Sequence, residues 1–305
     1  VTDLRTRSEE VLAGQLARVR AALSARANGR RGSELTESLM ERVLTPVRHV
    51  SVVIPSAGTF DEFGSPLLWG ALDLIGDQAE VIVVTTNGHL TEEAAHLCAA
   101  AGCRIIDVSS PDGFNFSRAI NAGVRACRTP RILLLNDDVQ GPAPAGWLRW
   151  WLAQAAPLSA VALRWPSNLV CYAGIKWGAP GRMPEHVGVG RAPEDLPLTV
   201  PTLAVTGAAM LVDRALFEAV GGFSESLPLN YNDIDFCLQA LRLGVRPQQF
   251  NRIVLTHRES ASRGHSPPTA KDYREFVRRG ASVLASEGIE LSAEEAIRAE
   301  LAPRR

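Results

Sequence analysis

The sequence predicts an α/β protein with a mostly parallel central sheet flanked by helices and helical extensions at both ends. Three observations predict it. Short β-branched or aliphatic runs alternate with helical patterns from Val50 to Leu135. The run Ile132-Leu133-Leu134-Leu135 stops in Asn136-Asp137-Asp138, as a buried parallel strand does when it delivers polar groups to its C-terminal edge. The 305 residues, 46% hydrophobic and 21% charged, suffice for a sizeable core in one large or two small domains.

Residues 3–45 read as two helices. Val11, Leu12, Leu16, Val19 and Leu23 recur at helical spacing. Asn28-Gly29 and Gly32 interrupt the pattern, Ser33 to Leu44 resume it, and Pro46 ends it. Packing on the core is the default role of this extension; self-association and contact with a membrane surface are the alternatives. Val50 to Ile54 is a β-branched run stopped by Pro55, a first strand. A short helix fits Leu67 to Ile75, a second strand Glu80 to Val84, a helix Thr91 to Ala101 with Gly102 at its end, and a third strand Arg104 to Val108. Ser117 to Cys127 is helical, and Arg131 to Leu135 is the fourth strand.

After Pro142 the pattern loosens. A helix begins near Ala145 and carries Trp147, Trp150 and Trp151. Residues 164–200, rich in Gly and Pro, read as loops with short extended pieces around a site. Leu203 to Val212 is apolar with small residues, Arg214 to Val220 is a helix ended by Gly221-Gly222, and Asp233 to Leu243 is a helix stopped by Gly244. Ile253-Val254-Leu255 is a last short strand, and the chain is helical and charged from Thr269.

Composition excludes several classes. A net charge of -1 provides no basic field for nucleic acid. No apolar stretch reaches membrane-spanning length, and the polar N-terminus has no apolar signal core. The expectation is a cytosolic protein, with peripheral contact at the inner face of a membrane left open. The five cysteines match no zinc or redox spacing and read as reduced, buried small hydrophobes.

The paired acids carry the chemistry. Ligands of open α/β sheets bind at the carboxyl edge. Buried charge is costly unless paired or bound to metal. A divalent cation bridging Asp137 and Asp138 to a diphosphate meets that requirement; a solvated acidic loop is the alternative.

Further blocks follow in order: Ser51-Val52-Val53-Ile54-Pro55, Phe114-Asn115-Phe116-Ser117, Asn121-Ala122-Gly123, Leu134 to Val139, Val205-Thr206-Gly207-Ala208-Ala209-Met210, Gly221-Gly222-Phe223, Asn232-Asp233-Ile234-Asp235, and His257 to Gly264. With these blocks the chain resembles the family 2 inverting glycosyltransferases, which have the GT-A fold, a Rossmann-like nucleotide-diphospho-sugar transferase fold. It is especially similar to the bacterial subgroup that builds rhamnose-containing and O-antigen-type polysaccharides. The resemblance runs from about residue 50 to 280. It implies an N-terminal extension over 1–48, a GT-A domain over 49–265 with a nucleotide-binding half (49–140) and an acceptor-binding half (141–265), and a C-terminal helical segment over 266–305.

The resemblance implies Mg²⁺ or Mn²⁺, a dTDP-, UDP- or GDP-linked sugar donor, and a hydroxyl acceptor such as a glycan or lipid-linked glycan. Asp138 becomes the first metal ligand, with Asp137 on the metal or ribose. Asn136 stands where many relatives carry the first Asp, and its amide can bond a ribose hydroxyl. Inversion needs a base to deprotonate the acceptor. Asp233 takes that position, with Asp235 the alternative; capping of the helix N-terminus is the other reading of either acid. His257 would complete the metal shell, against a structural histidine. Arg263 would bind phosphate oxygens through its planar fork, and Ser260 and Ser262 cap the loop or touch phosphate. Pro55, Ser56, Thr86 and Asn87 frame the base and ribose. Asn115, Ser117 and Asn121 shape the donor pocket or serve as helix-start and turn residues. Gly207 allows close backbone approach to the sugar. Trp165, Tyr172 and Trp177 stack on sugars or sit in the core.

One departure stands out. Relatives end the second strand in an Asp that reads the nucleobase; here Thr86 precedes Asn87-Gly88. Either the donor is unusual, or recognition has moved to a neighbour such as Asp61 or His89. Three rival readings follow: a degenerate nucleotide-sugar-binding protein, a glycosyltransferase of secondary metabolism, and a nucleotidyltransferase. The last is disfavoured because no Gly-rich phosphate loop follows the first strand.

Overall fold

The computed structural model describes residues 49–61, 64–177, 183–258, 268–294 and 297–298. The expected N-terminal helices, Arg263, Ser260 and Ser262 lie outside the described residues. The first half follows the expected alternation: β1 (Val50–Pro55), α1 (Leu67–Ile75), β2 (Glu80–Thr86), α2 (Glu92–Ala100), β3 (Arg104–Val108), α3 (Phe116–Ala126) and β4 (Arg131–Leu135). These strands lie in the order β4-β1-β2-β3, each parallel to its neighbour. β1 is buried throughout because helices cover both faces, as its unbroken β-branched run requires. β3 is the edge, and its Arg104, Ile105 and Asp107 are exposed.

α3 packs hard against this half. A Cβ on Gly123 would lie 2.3 Å from Val53 Cγ1 and 2.9 Å from Val84 Cγ2. Only a glycine lets the helix approach the sheet this closely. Asn115 caps the helix by accepting from Arg118 N at 2.9 Å, so the helix starts one residue before the expected Ser117.

The second half contains β5 (Val139–Gln140), α4 (Trp147–Leu152), β6 (Leu158–Arg164), β7 (Val170–Tyr172), β8 (Ile175–Lys176), β9 (Glu185–His186), β10 (Thr199–Val200) and β11 (Ala209–Asp213), then α5 (Arg214–Val220), α6 (Asn232–Arg242), β12 (Gln248–His257) and α7 (Ala270–Ser286). The sheet continues from β4 through β11, β6 and β12 to β10. β11 runs antiparallel to both β4 and β6, whereas β6 and β12 are parallel. The parallel character is therefore complete in the first half and mixed in the second. β6 was not legible: its Ser159, Ala160 and Ala162 have weak strand propensity, and burial between β11 and β12 overrides it. β12 spans ten residues rather than the expected three, with a register shift between Phe250 and Val254 that interrupts its pattern. α7 starts at the expected Thr269 in a capping box: Thr269 N donates to Asp272 Oδ2 at 2.8 Å and Asp272 N to Thr269 Oγ1 at 3.2 Å. All five cysteines are free thiols, and all but Cys103 are buried. No helix among the described residues is long and apolar enough to cross a membrane.

Candidate active site

β4 ends at Leu135, and Asn136 N carries the ladder one step further by donating to Ala208 O at 2.9 Å. Val139 N then donates to Asn136 O at 3.2 Å, closing a tight turn that presents Asp137 and Asp138 beyond the sheet. Both acids are 3% exposed. Ser56, just past β1, donates its hydroxyl to Asp137 Oδ2 at 2.7 Å. After the turn, β5 pairs antiparallel with the end of β12, matching Val139 with His257, and Arg258 N donates to Asp138 O at 3.0 Å. This register sets His257 beside Asp138.

His257 Nε2 lies 3.1 Å from Asp138 Oδ1, yet the two atoms do not have hydrogen-bond geometry. Both atoms are buried and close enough together to contact one ion. No cluster of three or more His, Cys, Asp or Glu able to hold a metal occurs among the described residues. Two protein ligands are enough for a Mg²⁺-like ion that keeps waters and takes substrate phosphates, and carboxylate and water oxygens suit Mn²⁺ as well. The residues present therefore fit the implied cation. Asn136 Oδ1 is buried and accepts no hydrogen bond from the described residues, which leaves it able to receive a ligand hydroxyl.

Asp233 is in the first turn of α6. Its Oδ2 accepts from Gly207 N and its Oδ1 from Ile234 N, both at 2.8 Å. Gly207 and Ala208 are consecutive, so one stretch of backbone holds Asp233 and Asn136. A Cβ on Gly207 would meet Asp233 Cβ at 3.3 Å. α6 is entered through Tyr231 in the left-handed region at φ 60, a strained state for a bulky residue. Its ring stacks on Phe276 of α7 at 5.1 Å, which holds the conformation. Thr206 N donates to the Tyr172 hydroxyl at 3.0 Å, and that hydroxyl donates to Gln249 at 2.8 Å. Burial pushes the Tyr172 hydroxyl well above its ordinary range, so it stays neutral as an anchor beside Gly207. Tyr172 is thus core; Trp165 and Trp177 are half-buried.

The two α6 acids point to different tasks. Asp235, 1% exposed, accepts from Arg279 Nε of α7 at 2.9 Å and from Gln239 at 3.1 Å. Its side chain joins α6 to α7 instead of facing Gly207. Asp235→Ala is expected to lower stability by about 1–3 kcal/mol, since it removes charge-assisted bonds from a buried site, while the turnover of folded protein persists. Chemical denaturation alongside an activity assay checks this.

Asn115, Ser117 and Asn121 form a tether. Asn115 Nδ2 donates to Glu225 O at 3.0 Å, Ser117 Oγ to Leu227 O at 2.7 Å, and Asn121 exchanges 2.9 Å bonds with the N–H and C=O of Phe223. Gly222 at φ +79 fits because a Cβ there would sit 2.6 Å from Asn121 Oδ1. These residues fix the segment leading into α6.

At the ends of β1 and β2 a pocket of about 120 Å³ is lined by Ala57, Thr86, Asn87, His89, Gly113 and Phe114. Asn87 exchanges 2.8 Å bonds with the N–H and C=O of Ser110, and Gly88 N donates to Asp107 at 2.8 Å. Of the two neighbours considered for Thr86, His89 lines this pocket. Asp61 does not: it accepts from Ser65 N at 2.9 Å and pairs with Arg258. Pro55, buried at the end of β1, pairs with Val84 beside the pocket. Arg258 was missed from the sequence, although it adjoins His257 in the last block.

The fold is that of the GT-A class, as the sequence blocks suggested. GalNAc-T7, crystallised with UDP, GalNAc and Mn²⁺, superposes with a TM-score of 0.56 at 12% identity, over 77% of this chain and 48% of that one. The mannosyltransferase PcManGT from Pyrobaculum calidifontis, in complex with GDP-Man and Mn²⁺, gives 0.52 at 17% identity over 94% and 82%. In sequence, no family model matches. The uncharacterized protein y4gI of Sinorhizobium fredii is 35% identical over 174 residues, covering 53% of this chain. The O-antigen biosynthesis protein RfbC of Myxococcus xanthus is 28% identical over 256 residues, covering 76%. The chain spans about a fifth (19%) of the length of both curated relatives.

Proposed function

We propose that the chain is a metal-dependent, inverting glycosyltransferase of the family 2 type, moving a sugar from a nucleoside-diphosphate donor to a hydroxyl acceptor. The observation that carries this reading is the convergence of two buried side chains, Asp138 Oδ1 and His257 Nε2, at 3.1 Å, at the sheet edge where GT-A proteins take their donors. The nucleobase enters the pocket at Thr86 and His89, and Asn136 Oδ1 receives a ribose hydroxyl. Asp138 and His257 hold Mg²⁺ or Mn²⁺, which when bound offsets charge on the departing diphosphate. Asp137, kept in place by Ser56, lines the same edge, and Arg263 binds phosphate by resemblance. Asp233 accepts two backbone N–H bonds and has lone pairs left for a third donor. It removes the acceptor proton as the acceptor oxygen attacks the anomeric carbon from the face opposite the diphosphate, which inverts that centre. The likeness to an O-antigen biosynthesis protein supports a glycan or lipid-linked glycan acceptor.

A thermal-shift screen of UDP, dTDP and GDP, each with and without Mn²⁺, tests the reading. Stabilisation by one nucleotide that grows with Mn²⁺ is expected, in the amount mass action sets. No shift with any of them would refute it. Thr86 favours one rival, a binding protein without catalysis; donor binding with no turnover over several acceptors would establish that instead.

A further inference from the structure

The same edge carries a cation that the donor chemistry has not yet used. Arg258 follows His257 at the end of β12, and its backbone bond to Asp138 O fixes it beside the acidic turn. Its Nη2 lies 3.8 Å from Asp61 Oδ2, with the two side chains 19% and 11% exposed. At that separation this contact is a charge pairing outside hydrogen-bond reach. Asp61 is fixed independently. Its Oδ1 accepts from Ser65 N at 2.9 Å and its N–H donates to Ser65 O at 2.8 Å. The loop that holds it begins with Ser56, bonded to Asp137, and Ala57, which lines the pocket.

Charge decides what such a guanidinium can do. Asp61, Asp137 and Asp138 already bring three carboxylates to the edge, and a nucleoside diphosphate adds further negative charge. A divalent ion offsets two charges. Arg164, the guanidinium at the end of β6, is turned to Thr256 and Asn168, whereas Arg258 is joined to the acidic turn itself through its backbone. Its planar fork suits phosphate oxygens better than a single carboxylate oxygen at 3.8 Å.

We propose that Arg258 binds the diphosphate of the donor, and that Asp61 is the competing anion which occupies its guanidinium until the nucleotide arrives. This rests on the donor-site reading above. Binding exchanges one anion for another: the guanidinium turns from Asp61 to a phosphate oxygen, and Asp61 keeps its bonds to Ser65. The exchange has a sign that a mere strut lacks. Removing the charge of Asp61 strengthens diphosphate binding, whereas removing that of Arg258 weakens it. If the pair only held the loop in place, losing either partner would weaken binding alike.

Titration calorimetry with UDP, dTDP and GDP in Mn²⁺, and with uridine, thymidine and guanosine, compares the unaltered chain with Asp61→Asn, Arg258→Lys and Arg258→Met. For the diphosphate that the unaltered chain binds, Arg258→Met is expected to lose roughly tenfold or more in affinity. Arg258→Lys loses less, because it keeps a point charge, and Asp61→Asn gains several-fold. The matching nucleoside is unaffected by any of them. Weaker diphosphate binding in Asp61→Asn overturns the proposal, and so does unchanged binding in Arg258→Met. If Arg258→Met does not fold, the sign of the Asp61→Asn effect decides alone. An unaltered chain that binds none of the diphosphates overturns the donor-site reading as well.

Discussion

Asp233→Asn is expected to lower turnover by roughly 10²–10⁴-fold, the range of a lost general base, while nucleoside-diphosphate binding in Mn²⁺ is unchanged. Both oxygens of Asp233 accept backbone N–H bonds, from Gly207 and Ile234. An amide has one carbonyl oxygen, so one of those N–H groups must face an NH₂. That mismatch costs about 1–3 kcal/mol of stability, which a melt would register. Asn136 keeps its own bond to Ala208 O, one residue beyond Gly207, so the donor side retains its direct anchor. Initial rates with a sugar acceptor, paired with calorimetry of the donor nucleotide, check the split. Parallel loss of binding and turnover would count against the base role. Asp235 supplies the control, since its bonds go to Arg279 and Gln239.

The parts of the fold that could be read were those where local pattern and tertiary burial agree. β1, β2 and β4 are aliphatic runs buried in the sheet, and nothing competes with that pattern. β6 was illegible because its small residues are acceptable in a helix, a loop or a strand; β11 and β12 choose among these. The site divides the same way. Residue types at a strand end placed Asp137 and Asp138 at the sheet edge, and the resemblance of its block singled out His257. What Asn115, Ser117 and Asn121 do depends on a segment more than a hundred residues away. Asp233 and Asp235 share the same helix start, and only Gly207 on one side and Arg279 on the other tell them apart. Such pairings are long-range and leave no periodic trace. Gly123 and Gly222 were visible as letters in motifs; the reason for each is a close approach that only the packed structure contains.

Asp138→Asn is expected to abolish the response to Mn²⁺ while leaving the protein no less stable in chelator. Asp137 and Asp138 are adjacent, both almost wholly buried. Two neighbouring carboxylates repel one another and are expensive to desolvate. Asp138 Oδ1 faces His257 Nε2 at 3.1 Å, the two side chains buried together. Neutralising one acid therefore relieves repulsion in the metal-free protein at the same time as it removes an anionic ligand. Opposite effects on folding and on ion binding distinguish a functional acid from a structural one, because a structural acid loses stability when neutralised. His257→Ala is the companion variant. It keeps both carboxylates, and ion affinity is expected to fall by more than roughly a hundredfold, the upper range for losing a partner that only orients a ligand. Melting curves in chelator and across a Mn²⁺ series, with and without nucleotide, measure both quantities on the same samples. A large drop in chelator for Asp138→Asn would mean that the turn needs its charge for folding, and the case for an ion at Asp138 and His257 would fail.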